Sequence, residues 1–208
     1  NVFHGATPPP LDGSDFMNTI FPIRIELNVC KRSDKALHEF GLMCRSHSLE
    51  DCMAEARRTF KAEGEPGMYL TIDNARRQEL NKVTNMRLAP KGSTLLEAED
   101  GPILLYEGCQ LIGTKRQHGV LNGVGYDVSG ISDTHLSIRD EKGAELQLPL
   151  YKAASVLTLR HAMTVHKSQS RTIEGIIKIC PGSEPGQVSR YWYVKHLLVA
   201  ASRATKLE

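Results

Sequence analysis

The period of apolar positions changes several times along the chain, and each change marks an element. Ile23, Ile25, Leu27 and Val29 alternate with Arg24, Glu26 and Asn28, the period-two pattern of a strand with one covered face. Ahead of it, Ser14 and Asp15 are placed to cap a short helix over Phe16, Met17 and Ile20 that Pro22 ends. Behind it, Ser33 or Asp34 can cap a helix through Phe40 and Met43, and the stretch from Leu49 to Phe60 carries Met53, Ala56 and Phe60 at helical spacing. The turn EGEPG at 63–67 leads to a short strand with Tyr69, Leu70 and Ile72, then to a helix from Asn74 to Met86. On that helix Leu80 and Val83 are expected inward, and Arg76, Arg77 and Lys82 outward.

From Ile103 to Lys152 the pattern becomes a series of short β-rich pieces between glycines: ILLYEG, CQLIGT, GVLNGVGYDVSGI, THLSIRD and AELQLPL. Asn122-Gly123 is a hairpin signal, and 141–143 supports a second tight turn. About five short strands in a stretch this short predict a small barrel inserted between helical segments. After it, Ala153 to Leu159 is apolar and β-branched enough to predict a strand. Thr164 to Arg171 is a polar helix start or turn, GIIKIC ending at Cys180 another strand, and Tyr191 to Ala204 a helix with Val194, Leu197, Leu198 and Ala201 on one face. The expected organisation is one discontinuous α/β domain, 1–102 and 153–208, interrupted by a barrel at 103–152.

Composition narrows the class. At 208 residues, 40% apolar and 24% charged, the chain reads as globular. Five cysteines, odd in number and without metal-ligand spacing, fit a reducing, intracellular compartment, and no apolar run has the length of a membrane span. The start, with Pro8 to Pro10 in succession, is irregular and abrupt, as expected of a fragment. Net charge is only +2, but residues 156–208 hold 8 basic against 3 acidic side chains. That local excess is suited to phosphate.

Chemistry concentrates in the same region. RHAMTVHKSQSRTIEG, 160–175, sets polar and basic groups beside apolar ones, and YWYVKHLLVAASRAT, 191–205, is an apolar helix with a polar tip. Both suit a site between two bodies.

Four segments carry a resemblance. AMTVHKSQSRT, 162–172, is similar to the fifth motif, and LLVAASRAT, 197–205, to the sixth motif, of superfamily 1 helicases of the RecD- and Pif1-like branch. IELNVCKRSD, 25–34, resembles the fourth motif, and TIDNARRQELN, 71–81, the segment where such chains resume after it. The resemblance implies a RecA-like second motor domain, 2A, with an SH3-like 2B insertion. It implies single-stranded DNA on Thr164, His166 and Lys167, nucleotide coupling through Gln169 and Ser202, and arginine fingers at Arg203 and Arg32. Two arginines converging on phosphate stabilise developing charge without covalent chemistry. Translocation would run 5′ to 3′.

Ser170 departs from the family's glycine, a costly change if the backbone there needs positive φ, and Leu198 stands where an aromatic is commoner. The larger departure is that the chain has no G-x-x-x-x-G-K-[ST] phosphate loop and no acidic magnesium motif. ATP and Mg²⁺ are therefore expected on an N-terminal RecA-like domain of the same protein, with none held tightly by this chain and no hydrolysis by it alone. The alternatives are a non-catalytic module binding nucleic acid or protein, and an RNA helicase domain of viral type.

Overall fold

In the computed structural model, residues 33–204 are described, apart from Ser170 and Pro185. Arg32, the strand pattern at 23–29 and the short helix over 16–20 lie outside the described residues.

The described chain opens with two capped helices. The Asp34 side chain accepts the Leu37 amide at 2.9 Å and starts α1 (Lys35–Ser46), and Ser48 accepts the Asp51 amide at 3.1 Å and starts α2 (Leu49–Thr59). Phe40 of α1 meets Phe60, at the end of α2, edge to face with centroids 5.0 Å apart. The chain then enters β1 (Met68–Thr71), whose Met68, Leu70 and Thr71 are buried. Strand β1 is the centre of a three-stranded parallel sheet, flanked by β9 (Ala162–Thr164) and β10 (Ile177–Cys180). Helix α3 (Asn74–Leu88), capped by Asp73 on the Arg76 amide at 2.7 Å, packs on β1 and β9. Helix α5 (Val194–Ala201) packs on α1. Phe40, Leu70, Met163, Val165, Trp192 and Leu197 share this core.

The expected barrel is not there. Among the described residues, the β-rich region runs past the expected 103–152 on both sides: it forms a hairpin, β2 (Thr94–Ala98) with β3 (Gly101–Leu105), and a separate five-stranded antiparallel sheet that takes in 157–159. That sheet runs in the order β7-β6-β5-β4-β8, with β4 Gln110–Gly113, β5 Gly125–Ile131, β6 His135–Asp140, β7 Glu145–Pro149 and β8 Leu157–Leu159. A barrel needs its two outer strands to pair. Here β7 and β8 do not pair, so the sheet stays open, and helix α4 (Leu150–Val156) and the hairpin pack over its apolar side instead.

Two local expectations also change. Ala153 to Leu159 is half helix: Ala153 and Val156, three apart, are buried from α4, and only 157–159 extend as β8, pairing with β4. Helix α3 turns opposite to its apolar pattern, burying Arg77, Asn81, Thr84 and Asn85 while Val83 is 56% exposed. The reason is what α3 covers. Asn81 donates to the Ala162 carbonyl at 3.2 Å and accepts the Ala162 amide at 2.7 Å, and Asn85 does the same for Leu104 at 2.9 Å each way. Both targets are backbone groups on a strand edge, which must be paired when buried. Arg77 pairs with Asp100 at 2.9 Å, and Asp100 also accepts from Thr158 of β8 and from Gln78. One polar helix face thus joins the parallel sheet to the insertion.

Candidate nucleic-acid interface

Past the end of β9 the chain makes a compact loop. The Val165 amide donates to the Thr71 carbonyl at 2.8 Å, holding the loop root to β1. The Thr164 hydroxyl accepts the Lys167 amide at 3.2 Å, the Ser168 amide donates to the Thr164 carbonyl at 3.0 Å, and the Ser168 hydroxyl donates to the Val165 carbonyl at 2.8 Å. These bonds turn Thr164 and Ser168 inward, the first 7% exposed and the second fully buried, and leave His166, Lys167 and Gln169 exposed. The division follows from backbone satisfaction: small hydroxyls close the turn, and the long polar side chains cannot fit beneath it.

Helix α5 brings the second segment to this loop. Its first turn is tied by the Tyr193 amide donating to His196 Nδ1 at 3.0 Å, and Leu197 and Ala200 are buried. The C-terminal end therefore presents Ser202 and Arg203. Arg203 donates through Nε to the Val199 carbonyl at 3.1 Å. Its Nη1 donates to the carbonyls of Ser168 at 3.4 Å and Arg171 at 3.1 Å, and its Nη2 to the Ser202 hydroxyl at 2.7 Å. The Arg203 carbonyl accepts the Ile173 amide at 3.1 Å. The arginine is thus a buried strap across the loop. Arg171, from the other side, donates to the Gly123 carbonyl in the turn ahead of β5.

Of the residues singled out in the sequence, Thr164, His166, Lys167, Gln169, Ser202 and Arg203 come together on this loop and helix end. Arg32 lies outside the described residues. Asn81, which holds the strand leading into the loop, and Arg171, which ties the loop to Gly123, carry no signal readable from periodicity.

Other reactive groups are quenched by burial. The Cys44 thiol is pushed up to about 12 by burial and by its neighbour Cys52, and burial pushes Cys109 to about 12 as well. His161, 5% exposed, is lowered to about 4 by burial, reinforced by Arg160 and Arg87. Among the described residues no group of three His, Cys, Asp or Glu side chains is arranged to hold a metal, and no helix is long and apolar enough to cross a membrane.

No family model matches the chain, and no curated protein sequence is similar to it. Solved structures are. Bacteroides Pif1 bound to single-stranded DNA matches with a TM-score of 0.64 at 17% identity, over 88% of this chain and 50% of that one. Bacteroides Pif1 in complex with ADP-AlF3 and single-stranded DNA gives 0.62 at 18%, again over 88% and 50%. Pif1 helicase from Candida albicans gives 0.55 at 14%, over 84% and 52%. The likeness is one of fold: this chain shares its α/β architecture with these Pif1 helicase structures. The chain spans about half the length of the helicases it matches.

Proposed function

We propose that this chain is the second motor domain of an ATP-dependent DNA helicase, gripping the backbone of single-stranded DNA on the loop that follows β9. The observation that supports it most directly is the division of that loop. Thr164 and Ser168 are consumed in holding its shape, while His166, Lys167 and Gln169 stand out from it beside a helix end carrying Arg203. The fold shared with Pif1 proteins bound to single-stranded DNA supports the same reading. In the proposal His166 meets the strand and Lys167 meets phosphate, with the buried Thr164 shaping the loop beneath them, so binding is sequence-tolerant and weakens with salt.

The chain does not fit an ATP site of its own. It has no phosphate loop, and the Arg203 guanidinium is directed onto carbonyls of its own loop. A nucleotide and its Mg²⁺ would be held by another RecA-like domain of the same protein, facing Gln169, Ser202 and Arg203. The β-rich unit, expected at 103–152 but sharing its core with 94–98 and 157–159, and the parallel-sheet body on either side of it serve as the units of that motor half.

Fluorescence anisotropy with a labelled oligonucleotide tests the reading. Binding should fall linearly on a log–log plot against salt, and His166→Ala and Lys167→Ala should each weaken it. Salt-independent binding, or binding indifferent to both changes, would remove the loop as the DNA contact.

A further inference from the structure

The structure holds a second polar surface that opens beside Lys167. A cleft of about 380 Å³ lies between α3 and the insertion, and its lining includes Asn74 and Gln78 of α3, Thr114 and Lys115 after β4, Ser155 of α4 and Lys167 itself. We infer that this cleft seats a sugar-phosphate unit of the bound strand, with Lys115 of the insertion supplying a phosphate contact. The inference rests on the DNA reading above and extends its footprint from the loop onto the insertion.

Three observations carry it. First, the cations are the exchangeable kind. Arg77, also in the wall, is committed to Asp100 at 2.9 Å with its side chain 6% exposed, whereas Lys115 meets Glu99 at 2.6 Å in a pair whose side chains are 42% and 65% exposed. An exposed pair contributes little, so a phosphate can replace Glu99 at little cost. Second, the rest of the wall supplies neutral amides and hydroxyls, and its two carboxylates, Glu99 and Asp100, are both already partnered by cations. Third, the lining contains no aromatic side chain. Base recognition on single strands relies on aromatic stacking, so the chemistry here fits sugar and phosphate rather than a base or a free nucleoside.

Salt titrations of oligonucleotide binding by the full chain test this, with four proteins compared: wild type, Lys115→Ala, Lys167→Ala and Lys142→Ala. Lys142 is exposed on the β6–β7 turn, outside the cleft, and serves as the charge control. Lys115→Ala should weaken binding several-fold and make the log–log salt slope shallower by about 0.7, the value for one lost phosphate contact on a single strand. Lys115→Arg should retain both. If wild type binds and Lys167→Ala weakens it, but Lys115→Ala behaves like Lys142→Ala, the cleft is not on the strand's path and the inference is overturned while the loop reading stands. If wild type binds no single strand, both fall together. Thermal melts of each variant separate lost contact from lost folding.

Discussion

Asn81 and Ala162 exchange two hydrogen bonds, with the carboxamide of a helix residue taking the place that a neighbouring strand would occupy along β9. The other edge of β9 is paired to β1, so Asn81 completes the backbone bonding of the strand that ends at Thr164. One helical turn on, Asn85 does the same for β3. Replacing Asn81 by Ala leaves a buried amide and carbonyl unpaired, and each unmet group costs roughly 1–3 kcal/mol. Asn81→Ala and Asn85→Ala should therefore both lose about 2–4 kcal/mol in urea melts. Only Asn81→Ala should also weaken oligonucleotide binding, because only β9 runs into the loop with His166 and Lys167. Equal loss of binding in the two variants would mean that the helix acts through stability alone.

The Arg77–Asp100 pair joins a buried guanidinium to a half-buried carboxylate. Burial alone would raise the Asp100 carboxyl, but hydrogen bonds from Arg77, Gln78 and Thr158 and the charge of Arg77 outweigh it and hold it at about 2. Asp100→Asn leaves the Arg77 guanidinium, itself 5% exposed, without its counter-charge. Breaking a fully buried pair from one side costs about 3–5 kcal/mol; with the Asp100 side chain 30% exposed the loss here falls below that range, and removing both charges costs less still. The double variant Arg77→Met with Asp100→Asn should thus be more stable than Asp100→Asn alone. Additive losses in a double-mutant cycle would show that the two charges do not interact.

Much of the candidate site was legible in the sequence because its signals are contiguous: one loop holds Thr164 to Gln169, and one apolar helix runs out at Ser202 and Arg203. What was not legible is non-local. Whether β7 and β8 pair decides between a barrel and an open sheet, and nothing in either strand's own residues records it. Ala153 to Leu159 is a short apolar run, for which periodicity alone does not separate helix from strand. Helix α3 was oriented the wrong way because amphipathic patterning assumes that the buried face is apolar. It instead covers strand edges, where Asn81 and Asn85 meet backbone groups that no apolar side chain could satisfy.

Stability should depend on pH through His161. Its imidazole is held to about 4 when folded, chiefly by burial and then by Arg160 and Arg87, against an ordinary 6.5. Between these values the unfolded chain binds more protons than the folded one, so stability rises with pH across the window. It is fully present above about 6.5 and is lost as pH falls toward 4, by about 3 kcal/mol in all. Urea melts at steps from pH 7 to pH 4.5 should show this decline, and His161→Phe should flatten it in that range. An unchanged pH profile in the variant would place the acid sensitivity on other groups.

Arg203 combines two demands that substitution can separate. Its fork reaches carbonyls on Val199, Ser168 and Arg171 at once, and these ties hold the loop to the end of α5. Lysine keeps the charge but has one nitrogen on a flexible stem, so it cannot span those acceptors together. Arg203→Lys and Arg203→Ala should both loosen the loop, visible as faster hydrogen exchange at the Ser168 and Arg171 amides. In a complete two-domain enzyme, a phosphate-facing arginine predicts more than this: turnover at saturating DNA should fall about a thousand-fold or more in both variants. A strap alone predicts a different result. DNA affinity would drop with loop order, and turnover at saturating DNA would stay near wild type. The proposed finger role does not survive that second outcome.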